Sequence, residues 1–171
     1  MINRRTLMGA SGAALFGGFA FFGGKNESHA RTGKFEIQLS EAEWKKRLTP
    51  AQHHVLRGEG TERAGTSPLN AEKRAGVFHC AGCELPLFSS TAKYESGTGW
   101  PSFHTALPGA VETKRDFAML LPRTEYHCAR CEGHQGHIFN DGPRPTGKRY
   151  CNNGLALQFV PAGQRLPALR T

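Results

Sequence analysis

Cys128-Ala129-Arg130-Cys131-Glu132-Gly133-His134-Gln135-Gly136-His137-Ile138-Phe139-Asn140-Asp141-Gly142-Pro143 is the stretch on which the fold turns. It holds two cysteines three apart, a glycine turn, two histidines three apart and a short apolar run that Gly142-Pro143 ends. Two thiolates at that spacing can bind one metal ion from a single tight turn. A second unit, Cys80-Ala81-Gly82-Cys83, precedes it by 44 residues, and a second such turn completes a tetrahedron. That interval exceeds the reach of a compact zinc ribbon, so strands between the pairs must bring them together. Two disulfides would use the same cysteines in an oxidising compartment. An iron–sulfur centre would use them too. The duplicated CxxC favours a structural zinc joining two knuckles. A closed four-cysteine site keeps no open position for substrate, so it is expected to hold the fold and do no chemistry.

On either side, short apolar runs alternate with Gly and Pro. Val77-Phe78-His79, Ala118-Met119-Leu120-Leu121, His137-Ile138-Phe139 and Leu155-Ala156-Leu157-Gln158-Phe159-Val160 read as strands. With 21 Gly and 10 Pro among 171 residues, short strands and many turns are expected. The fold class is therefore mainly β, in one domain over 31–171 with its core at about 40–160. Two short helices precede the strands. Ser40-Glu41-Ala42-Glu43 reads as a capping box, with Trp44 and Leu48 on one face. Thr49-Pro50-Ala51-Gln52 repeats it, and Gly58 and Gly60 end the run. A polar loop is expected up to Arg74, and an irregular tail from Pro161 to Thr171.

Cys151 is left over from the metal set. A lone cysteine is often a small buried hydrophobe. Here Arg149 stands two residues before it and Asn153 two after, so on a strand the three would share a face. A neighbouring cation lowers a thiol's pKa, which predicts a reactive thiolate. His134 and His137 can be metal ligands, but four cysteines already suffice, which favours an acid/base role. Ser96-Gly97-Thr98-Gly99-Trp100-Pro101-Ser102-Phe103 is a glycine-framed turn presenting one large aromatic, and packing of Trp100 into the core is the slightly favoured reading.

Residues 1–30 read as an export signal. Asn3-Arg4-Arg5-Thr6-Leu7-Met8 opens it, an apolar Gly/Ala/Phe stretch follows, and Ser28-His29-Ala30 resembles a cleavage site. The paired arginines resemble the twin-arginine type. The expected location is the periplasm, with a membrane anchor through residues 6–24 only if the leader stays uncleaved. The formal charge is +8. Beyond Ala30, however, 19 basic and 13 acidic residues are dispersed, as on a solvated face, so no nucleic-acid partner is expected.

From about Ser40 to Val160 these motifs together resemble the B-type methionine sulfoxide reductases. The resemblance rests on CAGC, SGTGWPSF and CARCEGHQGHIFNDGPRPTGKRYC in that order. It implies two antiparallel sheets forming an open barrel-like core, short N-terminal helices and a zinc at Cys80, Cys83, Cys128 and Cys131, with no organic cofactor. It implies a monomer acting on the R epimer of methionine sulfoxide in oxidised proteins or peptides. Cys151 matches the family's nucleophile, His134 and His137 its histidines around the sulfoxide oxygen, and Asn153 its active-site amide. Trp100 matches the aromatic that receives the substrate's methyl group. Phe139, Arg149 and Asp141 complete the implied substrate-binding set. Two positions depart from the family pattern. Thr98 stands where many members carry a resolving cysteine, so a thioredoxin-like domain or other external thiol is expected to reduce oxidised Cys151. Gln135 replaces a common leucine, a minor change. An exported zinc-ribbon binding module is the rival reading, and it leaves Cys151 without a task.

Overall fold

The computed structural model describes residues 35–117 and 121–171. The expected leader lies outside them, as do Ala118, Met119 and Leu120.

Both helices form where their caps predict. In α1 (Glu41–Arg47) the Ser40 hydroxyl accepts from the Glu43 amide, and the Glu43 carboxylate accepts from the Ser40 N–H at 2.8 Å. α2 (Pro50–Leu56) repeats the device with Thr49 and Gln52. Each cap contributes about 1 kcal/mol, which matters for helices too short to persist alone. Burial of Trp44, Leu48, Val55 and Leu56 supplies the rest. The guanidinium of Arg57 lies 4.8 Å from the Trp44 ring.

Nine strands follow among the described residues: β1 (Gly76–Cys80), β2 (Pro86–Ser89), β3 (Lys93–Tyr94), β4 (Ser102–Phe103), β5 (Val111–Asp116), β6 (Arg123–Cys128), β7 (His134–Phe139), β8 (Arg149–Asn152) and β9 (Leu157–Pro161). They make two antiparallel sheets, β2-β1-β9 and β3-β4-β8-β7-β6-β5, and neither closes into a barrel. Aromatic rings fill the space between them. Phe88 of the small sheet stacks on Phe103 of the large one at 4.2 Å, and Phe78 meets Phe103 edge-on at 5.0 Å. Tyr126 and Tyr150 extend the cluster. Each ring buries on the order of 150–250 Å², and truncating one to alanine costs about 3–5 kcal/mol.

Three strand expectations need correction. The apolar run at 118–121 is not a strand where it is described: Leu121 lies in a bend and is 75% exposed. The flanking strands are the polar β5 and β6, which the apolar pattern passes over. β5 is an edge strand, where charged side chains are tolerated and guard against edge-to-edge pairing. β7 starts at His134, three residues early. β9 starts at Leu157, because Gly154–Ala156 is a 3-10 turn whose amides at Gly154 and Leu155 donate to the Glu62 carboxylate. The tail is irregular but pinned: Arg130 donates to the Arg170 carbonyl at 2.6 Å, and Arg47 to that of Thr171 at 2.7 Å. Among the described residues no helix is long and apolar enough to cross a membrane.

Candidate active site

Strand register assembles the site. Cys151 on β8 pairs with His137 on β7, and His137 with Glu125 on β6. On its other side Cys151 pairs with Ser102 on β4. Directly opposed residues share a face, so a row of polar side chains crosses the large sheet at this level. Arg149 pairs with Phe139 two residues away, on the same face, with its guanidinium 4.2 Å over the Phe139 ring. The expected alignment of Arg149 with Cys151 therefore holds. The strand ends at Asn152, however, so Asn153 reaches the site from the following turn.

A part-open cleft of about 140 Å³ stands over this row. Trp100 and Phe139 provide its apolar surface, and Cys151, His137, Asn153, Thr61 and Arg123 its polar lining. Trp100 is thus a half-buried cleft residue and not a core residue; its indole N–H donates to the Glu62 carbonyl at 3.1 Å. The Asn153 amide donates to the Gln135 carbonyl at 3.0 Å and accepts from the Glu62 N–H at 3.0 Å, so its orientation is set before any substrate arrives. His134, Arg149 and Asp141 do not line the cleft. His134 is buried beside His137, their ring centroids 5.5 Å apart. Both arms of the Arg149 fork are engaged by Asp141 at 2.8 Å.

That engagement bears on the thiol. Burial pushes the Cys151 pKa above the usual cysteine range, and the pull of Arg149 and of the Thr98 hydroxyl only offsets part of it. The expectation of a depressed thiol pKa is corrected: desolvation outweighs a cation whose charge is already shared with Asp141. At neutral pH Cys151 rests as a thiol. Only the thiolate alkylates. The rate of Cys151 alkylation by iodoacetamide, followed by mass spectrometry, is therefore expected to climb with pH to a midpoint above the usual cysteine range. A midpoint below about 7 would contradict the structure.

Residues beyond the sequence reading complete the site. His137 Nε2 lies 2.7 Å from Asp116, whose carboxylate also takes a hydrogen bond from Arg123 at 2.7 Å. Burial lowers the His137 pKa and Asp116 restores part of it, leaving a neutral imidazole near pH 7. Glu125 binds His134 and His127. The alternation Arg123, Glu125, His127 on one face of β6 was the available signal. Gln135 is fully buried: its amide donates toward Cys80 Sγ at 3.5 Å and accepts from Asn152 at 3.4 Å, so this departure from leucine is put to use. Gly136 is required by contact. A Cβ there would stand 1.9 Å from the Cys151 carbonyl oxygen. Gly136→Ala is expected to displace β8 and lower kcat/KM about 100-fold or more in a folded protein, since roughly 1 Å of misplacement costs that much. Retention of kcat/KM within about threefold, measured beside circular dichroism, would refute this.

The four remaining cysteines are buried together, with all sulfurs within 4.8 Å of one another. Cys80 and Cys131 stand 3.7 Å apart, Cys83 and Cys128 3.5 Å. Thiolates at ~2.3 Å from one tetrahedral ion would be about 3.8 Å apart, so the donor set fits a metal such as zinc. Both knuckles use the same turn. The amides of Glu84 and Glu132 donate to the carbonyls of Cys80 and Cys128 at 2.9 Å, and both glutamates have positive φ, 64° and 60°. Arg57 and Arg130 donate to the carbonyls of Cys131 and Cys83, placing positive charge beside what would be an anionic centre.

A family model described as SelR domain matches residues 48–161. Over 126 residues the chain is 49% identical to "Peptide methionine sulfoxide reductase MsrB" of Leptospira interrogans, covering 73% of this chain and 96% of that one. The chain belongs to the B-type peptide methionine sulfoxide reductase family. It is 52% identical to "Peptide methionine sulfoxide reductase MsrB" of Methanosarcina barkeri over 124 residues, 72% of this chain and 87% of that one. It is 50% identical to "Peptide methionine sulfoxide reductase B1, chloroplastic" of Arabidopsis thaliana over 135 residues, 78% of this chain. The chain spans only 66% of the length of that plant relative and 59% of the rice one. Among solved structures, the Mis18 "Yippee-like" domain aligns with a TM-score of 0.42 and 23% identity, over 53% of this chain and 100% of that one.

Proposed function

We propose that this chain reduces the R epimer of methionine sulfoxide in proteins to methionine, with Cys151 as nucleophile. The observation that carries this reading is the cross-strand pairing of Cys151 with His137 beneath a cleft walled by Trp100 and Phe139. A neutral His137, its Nε2–H held by Asp116, can take the Cys151 proton on Nδ1. The resulting imidazolium is stabilised by that carboxylate and gives the proton to the sulfoxide oxygen. The thiolate attacks the sulfur as the oxygen becomes a hydroxyl, and the hydroxyl passes to the Cys151 sulfur. Methionine leaves, and Cys151 remains as a sulfenic acid. Two external thiols, or one dithiol of a thioredoxin-like domain, then return the thiol and release water and a disulfide. The Thr98 hydroxyl, which acts on the Cys151 thiol, cannot resolve the sulfenic acid as a cysteine would.

Epimer choice follows from the cleft's two kinds of surface. With the S-methyl on the Trp100 ring, only one configuration at sulfur directs its oxygen to the polar wall. The other leaves polar groups unpaired, a difference worth orders of magnitude in rate. Zinc at the four cysteines has a structural role in this reading. The Arg4-Arg5 leader supports work in the periplasm. The test is turnover of each purified epimer with a dithiol as sole reductant. Activity on R alone is expected; activity on S, or on neither, defeats the proposal.

A further inference from the structure

Asn153 opens the 3-10 turn Gly154–Ala156, yet its side chain does not cap that turn. Two other 3-10 turns among the described residues are capped from within. Ser67 accepts from the Leu69 amide ahead of Pro68–Asn70, and Ser89 from the Thr91 amide ahead of Ser90–Ala92. Asn is as good a capping residue as Ser, so the local preference of Asn153 is to turn its oxygen onto the equivalent amide, that of Leu155. Glu62 occupies that amide. Its carboxylate accepts from the Leu155 N–H at 3.0 Å and from the Gly154 N–H at 2.5 Å. The Asn153 side chain is thereby released. Its oxygen accepts from the Glu62 N–H, and its nitrogen donates to the Gln135 carbonyl. That nitrogen carries two hydrogens, and among the described residues the second has no acceptor. Asn153 lines the cleft.

Glu62 comes from the polar loop between α2 and β1 and is only 8% exposed. Among the described residues it makes no ion pair, and its carboxylate meets only the two amides. Taking a carboxylate out of water without a cation is costly, which argues for a task. Its main chain is anchored separately. The Glu62 carbonyl accepts from the Trp100 indole at 3.1 Å, and three residues on, the Gly65 amide donates to the Gly99 carbonyl at 2.7 Å. Loss of the carboxylate therefore leaves the loop attached to the Trp100 turn, and its effect falls on Asn153.

We infer that Glu62 is a positioning residue that caps the Gly154–Ala156 turn from outside, so that the Asn153 amide serves the cleft instead of its own backbone. The inference rests on the reductase reading for what that amide does in turnover. Glu62 touches no substrate and acts through Asn153.

Glu62→Ala in the full chain tests this at two levels. In a crystal structure of the variant, the Asn153 oxygen should turn back onto the Leu155 amide, as Ser67 and Ser89 do at their own turns. An Asn153 side chain still bonded to the residue-62 N–H and the Gln135 carbonyl would overturn the inference. In turnover of the R epimer, Glu62→Ala should lower kcat/KM by about tenfold or more, with metal content unchanged. The same substitution added to Asn153→Ala should cost no more than about threefold, because the amide it positions is gone. Equal losses in the two backgrounds, or a loss within about threefold in the single variant, would mark a merely structural residue and overturn the proposal. Should Glu62→Ala not fold, Glu62→Gln keeps the volume with one acceptor for two amides, and the same comparisons decide. A wild-type chain that reduces neither epimer would remove the reductase reading, whereas the turned amide in the crystal structure would leave the cap standing.

Discussion

Replacing Cys151 with serine is expected to lower kcat/KM for an R-sulfoxide substrate by at least about 10⁴-fold, some 5 kcal/mol of transition-state stabilisation. A serine hydroxyl matches the thiol in shape and hydrogen bonding but is far less acidic and a far poorer nucleophile toward sulfur. Cys151 lies outside the four-cysteine cluster, within the short strand β8, so the variant should fold and keep its full metal content. Trapping gives a second reading of the same step. Wild-type protein given sulfoxide without reductant should accumulate one sulfenic acid per chain, at Cys151, and the serine variant none. Residual turnover within about tenfold of wild type would remove Cys151 from the role of nucleophile.

The four-cysteine centre should show an effect as large by a different route. Cys80 ends β1 in the small sheet and Cys128 ends β6 in the large one, so an ion held there ties the two sheets at one edge of their aromatic interface. Structural zinc sites contribute on the order of 10 kcal/mol where nothing else holds the fold. Here the aromatic core shares the task, and a loss of about 5 kcal/mol is the reasonable lower figure for Cys128→Ser or for complete chelation. In a domain of this size that corresponds to a Tm lower by about 10–20 °C. Activity should fall with it, since Gln135 runs from Cys80 to the Asn152 amide beside Cys151. Scanning calorimetry with and without chelator, alongside elemental analysis, decides the matter. A metal-free chain that melts within about 2 °C of the loaded one would show that the cysteines only pack. Iron instead of zinc would declare itself by colour.

Several parts of this site were legible in one dimension because their physics is local. A capping box closes within four residues, and both helices start at their boxes. A CxxC turn brings its own two sulfurs together. The leftover Cys151 and the glycine-framed Trp100 stood out by arithmetic and by turn chemistry. The register of the sheet did not. Whether Cys151 meets His137 depends on pairing β8 with β7 at one register, and a slip of a single residue would turn the thiol into the core. The polar strands β5 and β6 were overlooked for a related reason. Their hydrophobic signal is weak, and their value lies in Asp116 and Glu125, which matter only once β6 lies beside β7.

Local spacing thus determined the chemistry available to this chain: a tetrathiolate cluster, one spare thiol, two histidines and a tryptophan on a turn. Tertiary structure decided how that chemistry is set. A bulge brought both histidines to one side of a strand, and two unforeseen carboxylates took hold of them. Burial raised the thiol's pKa where its neighbour in sequence argued for a fall. The physical reason is common to all three: register and desolvation are set by how strands pair and pack, even where the partners, such as Glu125 and His134, stand only nine residues apart.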